Sequence, residues 1–78
     1  MNSKRLQEYK LIGLNIAYYR KLKGFSQIKL AEVVGISRTH ISNIEAPNMP
    51  TSISLDTLMD IADALEIPVN YLLIFKEL

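Results

Sequence analysis

Residues 27–45 read QIKLAEVVGISRTHISNIE, and the reading of this stretch decides the fold. Gly35 divides it into two helical runs. Leu30, Ala31 and Val34 follow helical spacing in the first run, and Ile41 and Ile44 do so in the second. Ala31 is small and allows a close crossing. Gly35, four residues on, supplies a turn that needs no β-carbon. Ile41, six further, fills the angle between the helices together with Leu30, Val34, Ile36 and Ile44. A small residue, a glycine and an isoleucine at these intervals describe two short helices meeting steeply across a tight turn. An ordinary hairpin in a small bundle is the plainer alternative.

The second run poses a question of its own. A surface helix commonly carries long Glu and Lys side chains. Opposite Ile41 and Ile44 this one carries Thr39, Ser42 and Asn43, flanked by Arg38 and His40. Asn and Arg offer paired hydrogen bonds matching adenine and guanine edges. Thr and Ser hydroxyls donate or accept, and the threonine methyl suits a thymine methyl. Acidic residues, which would repel phosphate, are absent from 37–44. A merely solvated polar face is the competing reading.

Outward from this stretch the helical period persists. Ile12, Ile16 and Tyr19 form one stripe, Leu58, Ile61, Ala62 and Leu65 another, and Val69, Leu72 and Leu73 a third. Clean two-residue alternation is nowhere present. The spacing predicts five helices, at about 4–22, 26–34, 37–45, 54–65 and 68–76. Ser26, Ser37 and Ser54 stand where N-caps belong. Each is preceded by an apolar residue that matches another five positions later: Phe25 with Leu30, Ile36 with Ile41, Ile53 with Leu58. Gly24, behind Lys21 and Lys23, is placed to stop helix 1. Gly13 lies inside a helical pattern, where glycine is unusual. Pro47, Pro50 and Pro68 punctuate the later connections.

Composition bounds the rest. A chain of 78 residues predicts a single domain over 1–78, and 49% apolar residues suffice for a core. Without cysteine and with one histidine, neither a disulfide framework nor a metal site is expected, and no cofactor is implied. A reducing cytoplasm fits. The start MNSKRLQEYKLIG lacks an unbroken apolar core and is not read as a signal peptide. No run approaches the roughly 20 apolar residues of a membrane span. The net charge of +1 is unevenly spread: residues 1–40 hold eight Lys/Arg against Glu8 and Glu32, whereas 41–78 hold only Lys76 against six acids. One end is therefore expected to be basic and the other acidic. Asp56, Asp60 and Asp63 read as an exposed face of helix 4. No catalytic arrangement is visible, since nothing brings His40 together with a serine and an aspartate.

Arg20, Gly24, Ser26-Gln27, Leu30-Ala31, Gly35, Ser37, Ile41 and Glu45 together form a pattern that resembles the phage repressor and Cro-type helix-turn-helix regulators. The likeness runs from about residue 12 to 73, through IGLNIAYYRKLKGFSQIKLAEVVGISRTHISNIE and LMDIADALEIPVNYLL. It implies an all-α, compact five-helix domain that binds double-stranded DNA, with helix 3 in the major groove and helix 2 across the backbone. On that resemblance Arg38, Thr39, Ser42 and Asn43 are the candidate base contacts. Gln27, Lys29 and His40 are the candidate backbone contacts, with base contact and simple exposure also open for His40. The resemblance gives Gln27 a phosphate and a brace to Arg38. Arg20 and Glu45 both fall at the edges of apolar stripes, where an unpaired charge is costly. They are expected to pair, as the matching residues do in the family. Pro47 stands where the family has glycine, and the 46–53 loop is slightly longer, which alters how that loop would meet phosphate.

Apolar residues remain unspent. Tyr71, Ile74, Phe75 and Leu78 form a second stripe on the last helix, and Leu11, Leu14 and Tyr18 another on helix 1. Such surface fits a partner, and a homodimer suits paired half-sites. The alternative is that the chain's own ends cover it. The expected function is a sequence-specific transcriptional regulator, a repressor, acting as a homodimer on a two-fold operator. The rival reading is an antitoxin or bridging module whose main work is to hold another protein, such as a toxin or a second regulator.

Overall fold

The computed structural model describes residues 2–75, and among them there are helices and connections but no strand. The order is α1 (Ser3–Leu22), α2 (Gln27–Val34), α3 (Arg38–Glu45) and α4 (Leu55–Leu65), followed by a short 3-10 helix, Val69–Leu73. No described helix is long and apolar enough to cross a membrane.

The helix starts follow from the serines. Ser26, Ser37 and Ser54 accept the backbone N–H groups of Lys29, His40 and Thr57 through their hydroxyl oxygens. Each side chain thereby satisfies one of the donors that a helix leaves open at its first turn. Phe25, Ile36 and Ile53 pack against the core that contains Leu30, Ile41 and Leu58, as the staple pattern requires. Asn2 adds a fourth cap, accepting from the Arg5 N–H.

Three helix ends are closed by residues in the left-handed region, the first being Gly24 behind α1 at φ 82°, where the N–H groups of Gly24 and Phe25 donate to the carbonyls of Lys21 and Arg20. Gly35 closes α2 at φ 85°, and the N–H groups of Gly35 and Ile36 both donate to the Ala31 carbonyl, at 2.8 and 3.1 Å. That left-handed residue turns the chain steeply into α3. Glu66 closes α4 at φ 58°, with its own N–H on the Asp63 carbonyl and that of Ile67 on Ala62. It is the one non-glycine residue at positive φ among those described.

The core draws one wholly buried side chain from each element: Ile16, Leu30, Ile41, Ile61 and Leu72. Burying each contributes about 1.5–3 kcal/mol. Helices α1 and α3 approach backbone to backbone at Gly13. A β-carbon there would lie 2.1 Å from the Ile44 carbonyl oxygen. The glycine that interrupts the helical pattern is thus where α3 rests on α1.

The expected fifth helix is corrected. Within the expected 68–76, the described residues 68–75 form a 3-10 helix over Val69–Leu73 only, and Ile74 is extended; Lys76 lies outside the described residues. The Asn15 amide explains the early end, because it donates to the carbonyls of both Leu72 and Ile74, each at 3.0 Å. Those bonds hold the segment in an open course that an α-helix would not follow. The architecture is therefore four α-helices and a 3-10 turn. Leu73, expected in the core, is 44% exposed, whereas Leu72 is fully buried. Leu78 lies outside the described residues.

Candidate nucleic-acid interface

Helix α3 is held by its inner face. Ile41 and Ile44 are buried, and Ile44 also carries the carbonyl that meets Gly13. The helix axis is therefore fixed against α1 and α2, and its opposite side is offered outward. Arg38 and Thr39 are exposed there, while His40, Ser42 and Asn43 are partly exposed. The Asn43 carbonyl accepts from the Ala46 N–H and the Thr51 hydroxyl. Thr51 thereby ties the 46–53 loop to the end of the helix and leaves the Asn43 side chain outside that tie.

Beside it, α2 begins with Gln27 partly exposed and Lys29 exposed. The first N–H groups of such a helix have no intrahelical acceptor and favour an anion. Ile28, between Gln27 and Lys29, is 55% exposed and nothing in the structure explains it.

Below this surface lies a network of charges. Arg20 is 7% exposed and Glu45 8%. Arg20 donates from Nε to Glu45 Oε2 at 2.7 Å and from Nη2 to Glu45 Oε1 at 2.9 Å. Its Nη1 donates to the Phe25 carbonyl at 2.7 Å. Hydrogen bonding to the Glu45 carboxylate chiefly raises the guanidinium's pKa, with Coulomb attraction to the same carboxylate adding to it and burial opposing. Both charged groups are paired, each guanidinium nitrogen and each carboxylate oxygen has a partner, and no buried side-chain polar atom among the described residues lacks one. Gln27 joins the network too: its Nε2 donates to Glu45 Oε1 at 3.1 Å. The brace to Arg38 that the resemblance implies is not the bond this side chain makes.

The two spare apolar stripes meet on a second surface. Leu11, Leu14 and Tyr18 of α1 and Tyr71, Ile74 and Phe75 of the C-terminal segment line one groove of about 630 Å³. Tyr19 also lines it, its ring 5.9 Å from that of Tyr71. Asn15 holds the far wall in place. Sequence reasoning missed Asn15 and Thr51, whose amide and hydroxyl fix neighbouring segments. The only signal at Asn15 was a polar residue set between the apolar Ile12 and Ile16.

Two helices crossing at Gly35, the second carrying an outward row of short hydrogen-bonding side chains, define a helix-turn-helix domain. The helix-turn-helix family model matches residues 16–72. The transcriptional regulator SinR of Bacillus licheniformis is 37% identical over 67 residues, covering 86% of this chain and 60% of SinR. The chain thus spans about three fifths of that relative's length. The control protein C.SmaI of Serratia marcescens is 35% identical over 63 residues, 81% of this chain and 73% of C.SmaI. Among solved structures, the restriction-modification controller protein C.AhdI of Aeromonas hydrophila superposes with a TM-score of 0.78 at 27% identity, covering 85% of this chain and 97% of that one. SinR in complex with DNA superposes with a TM-score of 0.73 at 39% identity, covering 80% and 97%, and SinR also matches in a complex with the SinI protein. The chain belongs to the phage repressor and Cro-type helix-turn-helix family, a family of DNA-binding transcription regulators.

Proposed function

We propose that the protein is a sequence-specific transcriptional repressor that binds a two-fold DNA operator as a homodimer, with α3 in the major groove. One observation carries this reading. Helix α3 is anchored by Ile41 and Ile44 and presents Arg38, Thr39, Ser42 and Asn43 outward, and the solved SinR structure it resembles was determined with DNA. Arg38 and Asn43 are the principal base readers, Thr39 and Ser42 secondary ones. Gln27, Lys29 and His40 contact the backbone, which positions the helix without reading sequence.

The homodimer is supported by size and by the groove. Half-sites lie one helical turn apart, about 34 Å, and the domain measures 31 × 22 × 21 Å. Two copies at that spacing are close enough to touch. Tyr71, Ile74 and Phe75, with the α1 residues facing them, supply an apolar surface for the contact. Repression is the assigned sign because occupancy of an operator can block transcription without any activating surface.

Selection of duplexes from a random pool, followed by titrations at several salt concentrations, tests the reading. Asn43→Ala should lose about 1–3 kcal/mol on the selected duplex and little on scrambled DNA, whereas Arg38→Ala should weaken binding to both, because Arg38 at the helix start reaches base edge and backbone alike. Lys29→Ala should lower the salt slope by about one. If both reader variants bind the selected duplex as tightly as the parent, α3 is not the reading helix. The second reading, a module that holds another protein, is favoured by the groove and by the likeness to SinR bound to SinI. It is the better account if reader-face substitutions spare function in the cell and groove substitutions abolish it.

A further inference from the structure

The bond between Gln27 and Glu45 bears on how the DNA backbone is gripped. A carboxamide has two faces of nearly equal shape: an oxygen that only accepts, and a nitrogen with two N–H groups that only donates. Half a turn about the last side-chain torsion exchanges them. Phosphate oxygens accept and do not donate. Gln27 therefore grips a phosphate only with its nitrogen correctly turned, and a side chain free on a helix surface would sample both orientations.

Glu45 removes that freedom. Its carboxylate accepts only, and its Oε1 lies 3.1 Å from Gln27 Nε2. The flipped amide would place oxygen against oxygen at that distance, leaving two acceptors in repulsion. One N–H of Gln27 is thus committed to Glu45, and the other, on the same nitrogen, stays available. A bare carboxylate beside the site would also repel phosphate. Here Arg20 offsets it through two hydrogen bonds of 2.7 and 2.9 Å, and Arg20 is itself pinned by the Phe25 carbonyl. The relay links the end of α1, the end of α3 and the start of α2.

We propose that Glu45 is a positioning residue for DNA binding: it holds the Gln27 carboxamide donor-face outward, so that the second Nε2 N–H meets a backbone phosphate. The ion pair then sets backbone affinity as well as stability. This rests on the proposed binding of DNA through α3.

Two experiments on the full chain test it. In NMR spectra of isotope-labelled protein, the two Gln27 Nε2 protons are followed as the selected duplex is added. One proton, held by Glu45, should keep its position, and the other should shift. In the second experiment, duplexes carry a single uncharged methylphosphonate at successive backbone positions. One position in each half-site should weaken the parent about tenfold, the scale of a hydrogen bond to a charged group. Gln27→Met, which leaves Arg20 and Glu45 intact, should lose most of that sensitivity. Glu45→Gln should lose it as well, because a glutamine no longer selects the donor face of Gln27. Binding is measured at a temperature where circular dichroism shows each variant folded. If Glu45→Gln does not fold, the NMR experiment and Gln27→Met decide.

The inference is overturned if Glu45→Gln keeps the parent's full sensitivity, or if Gln27→Met does. It is equally overturned if the two Gln27 protons move together or neither moves. If no phosphate position matters while Arg38 and Asn43 still read the sequence, the inference alone fails and the DNA reading stands. If the parent selects no duplex at all, both fail.

Discussion

Replacing Gly13 by alanine adds one methyl group at the crossing of α1 and α3, and the structure fixes its consequence. In an exposed helix interior the change would stabilise by about 0.8–1.0 kcal/mol, because alanine surrenders less backbone entropy. At Gly13 the new carbon would stand 2.1 Å from the Ile44 oxygen, 3.2 Å from the Ile44 carbonyl carbon and 3.4 Å from the Glu45 Cα. All three are backbone atoms, so no side-chain rotation relieves the overlap. The helices must part by roughly 1 Å, in a core packed to crystal-like density. Overpacking of this kind costs about 1–3 kcal/mol, occasionally more. The movement also strains the Arg20–Glu45 bonds, since Glu45 follows Ile44 directly, so the upper end applies. Against the propensity gain, the net loss is about 2 kcal/mol. For a domain of this size that lowers Tm by roughly 8–16 °C. Urea and thermal unfolding followed by circular dichroism measure it. A Gly13→Ala variant as stable as the parent, or more so, would refute the claim that α3 is seated on bare backbone.

Removing either Arg20 or Glu45 should destabilise by about 3 kcal/mol, because the survivor is left buried and unpaired; the double variant should lose less than the sum, and strict additivity in a denaturation cycle would exclude the pairing. Since the Arg20 pKa is raised, the stabilisation from its charge is complete at any pH below the ordinary arginine value and is lost only at extreme alkalinity, so Arg20→Met should lower stability equally at neutral and mildly alkaline pH. Glu66→Gly should stabilise by about 0.5–1 kcal/mol by relieving the left-handed strain, the exposed contact with Lys23 contributing little; a lower urea midpoint would contradict this. Phe75→Glu should weaken self-association and operator affinity together while helicity persists, and sedimentation showing the parent to be a monomer at high micromolar concentration would remove the dimer.

What the sequence made legible is what depends on neighbours along the chain. Ser26, Ser37 and Ser54 bond to residues three positions on, so their capping roles are written locally. The same holds for the stripes that placed Ile16, Leu30, Ile41 and Ile61 in the core. Of the charged residues, the Arg20–Glu45 pair could be read because each falls at the edge of its own apolar stripe. The misread segment is 68–76. Its apolar spacing is helical, but its course is set by Asn15, some sixty residues earlier, and no local pattern records which carbonyls a distant amide will take. Gly13 was visible as an anomaly without a cause, since the cause is a carbonyl on another helix.

The candidate site divides along the same line. The outward row of α3 is a matter of periodicity and was legible, whereas the state of Gln27 was not. Its place at the start of α2 marks it as a candidate backbone contact, yet its orientation depends on Glu45, eighteen positions away, and through Glu45 on Arg20. These contacts meet where α1, α2 and α3 converge. Gly13 admits the backbone of Ile44, the next residue supplies the carboxylate, and the carboxylate holds the first side chain of α2. A substitution that moves α3 off α1 therefore acts first on the group that turns Gln27. In the proposed complex, the glycine that seats α3 and the glutamate that orients the phosphate contact are parts of one mechanical unit, so stability and DNA affinity should fall together for changes within it and separately for changes on the outer face of α3.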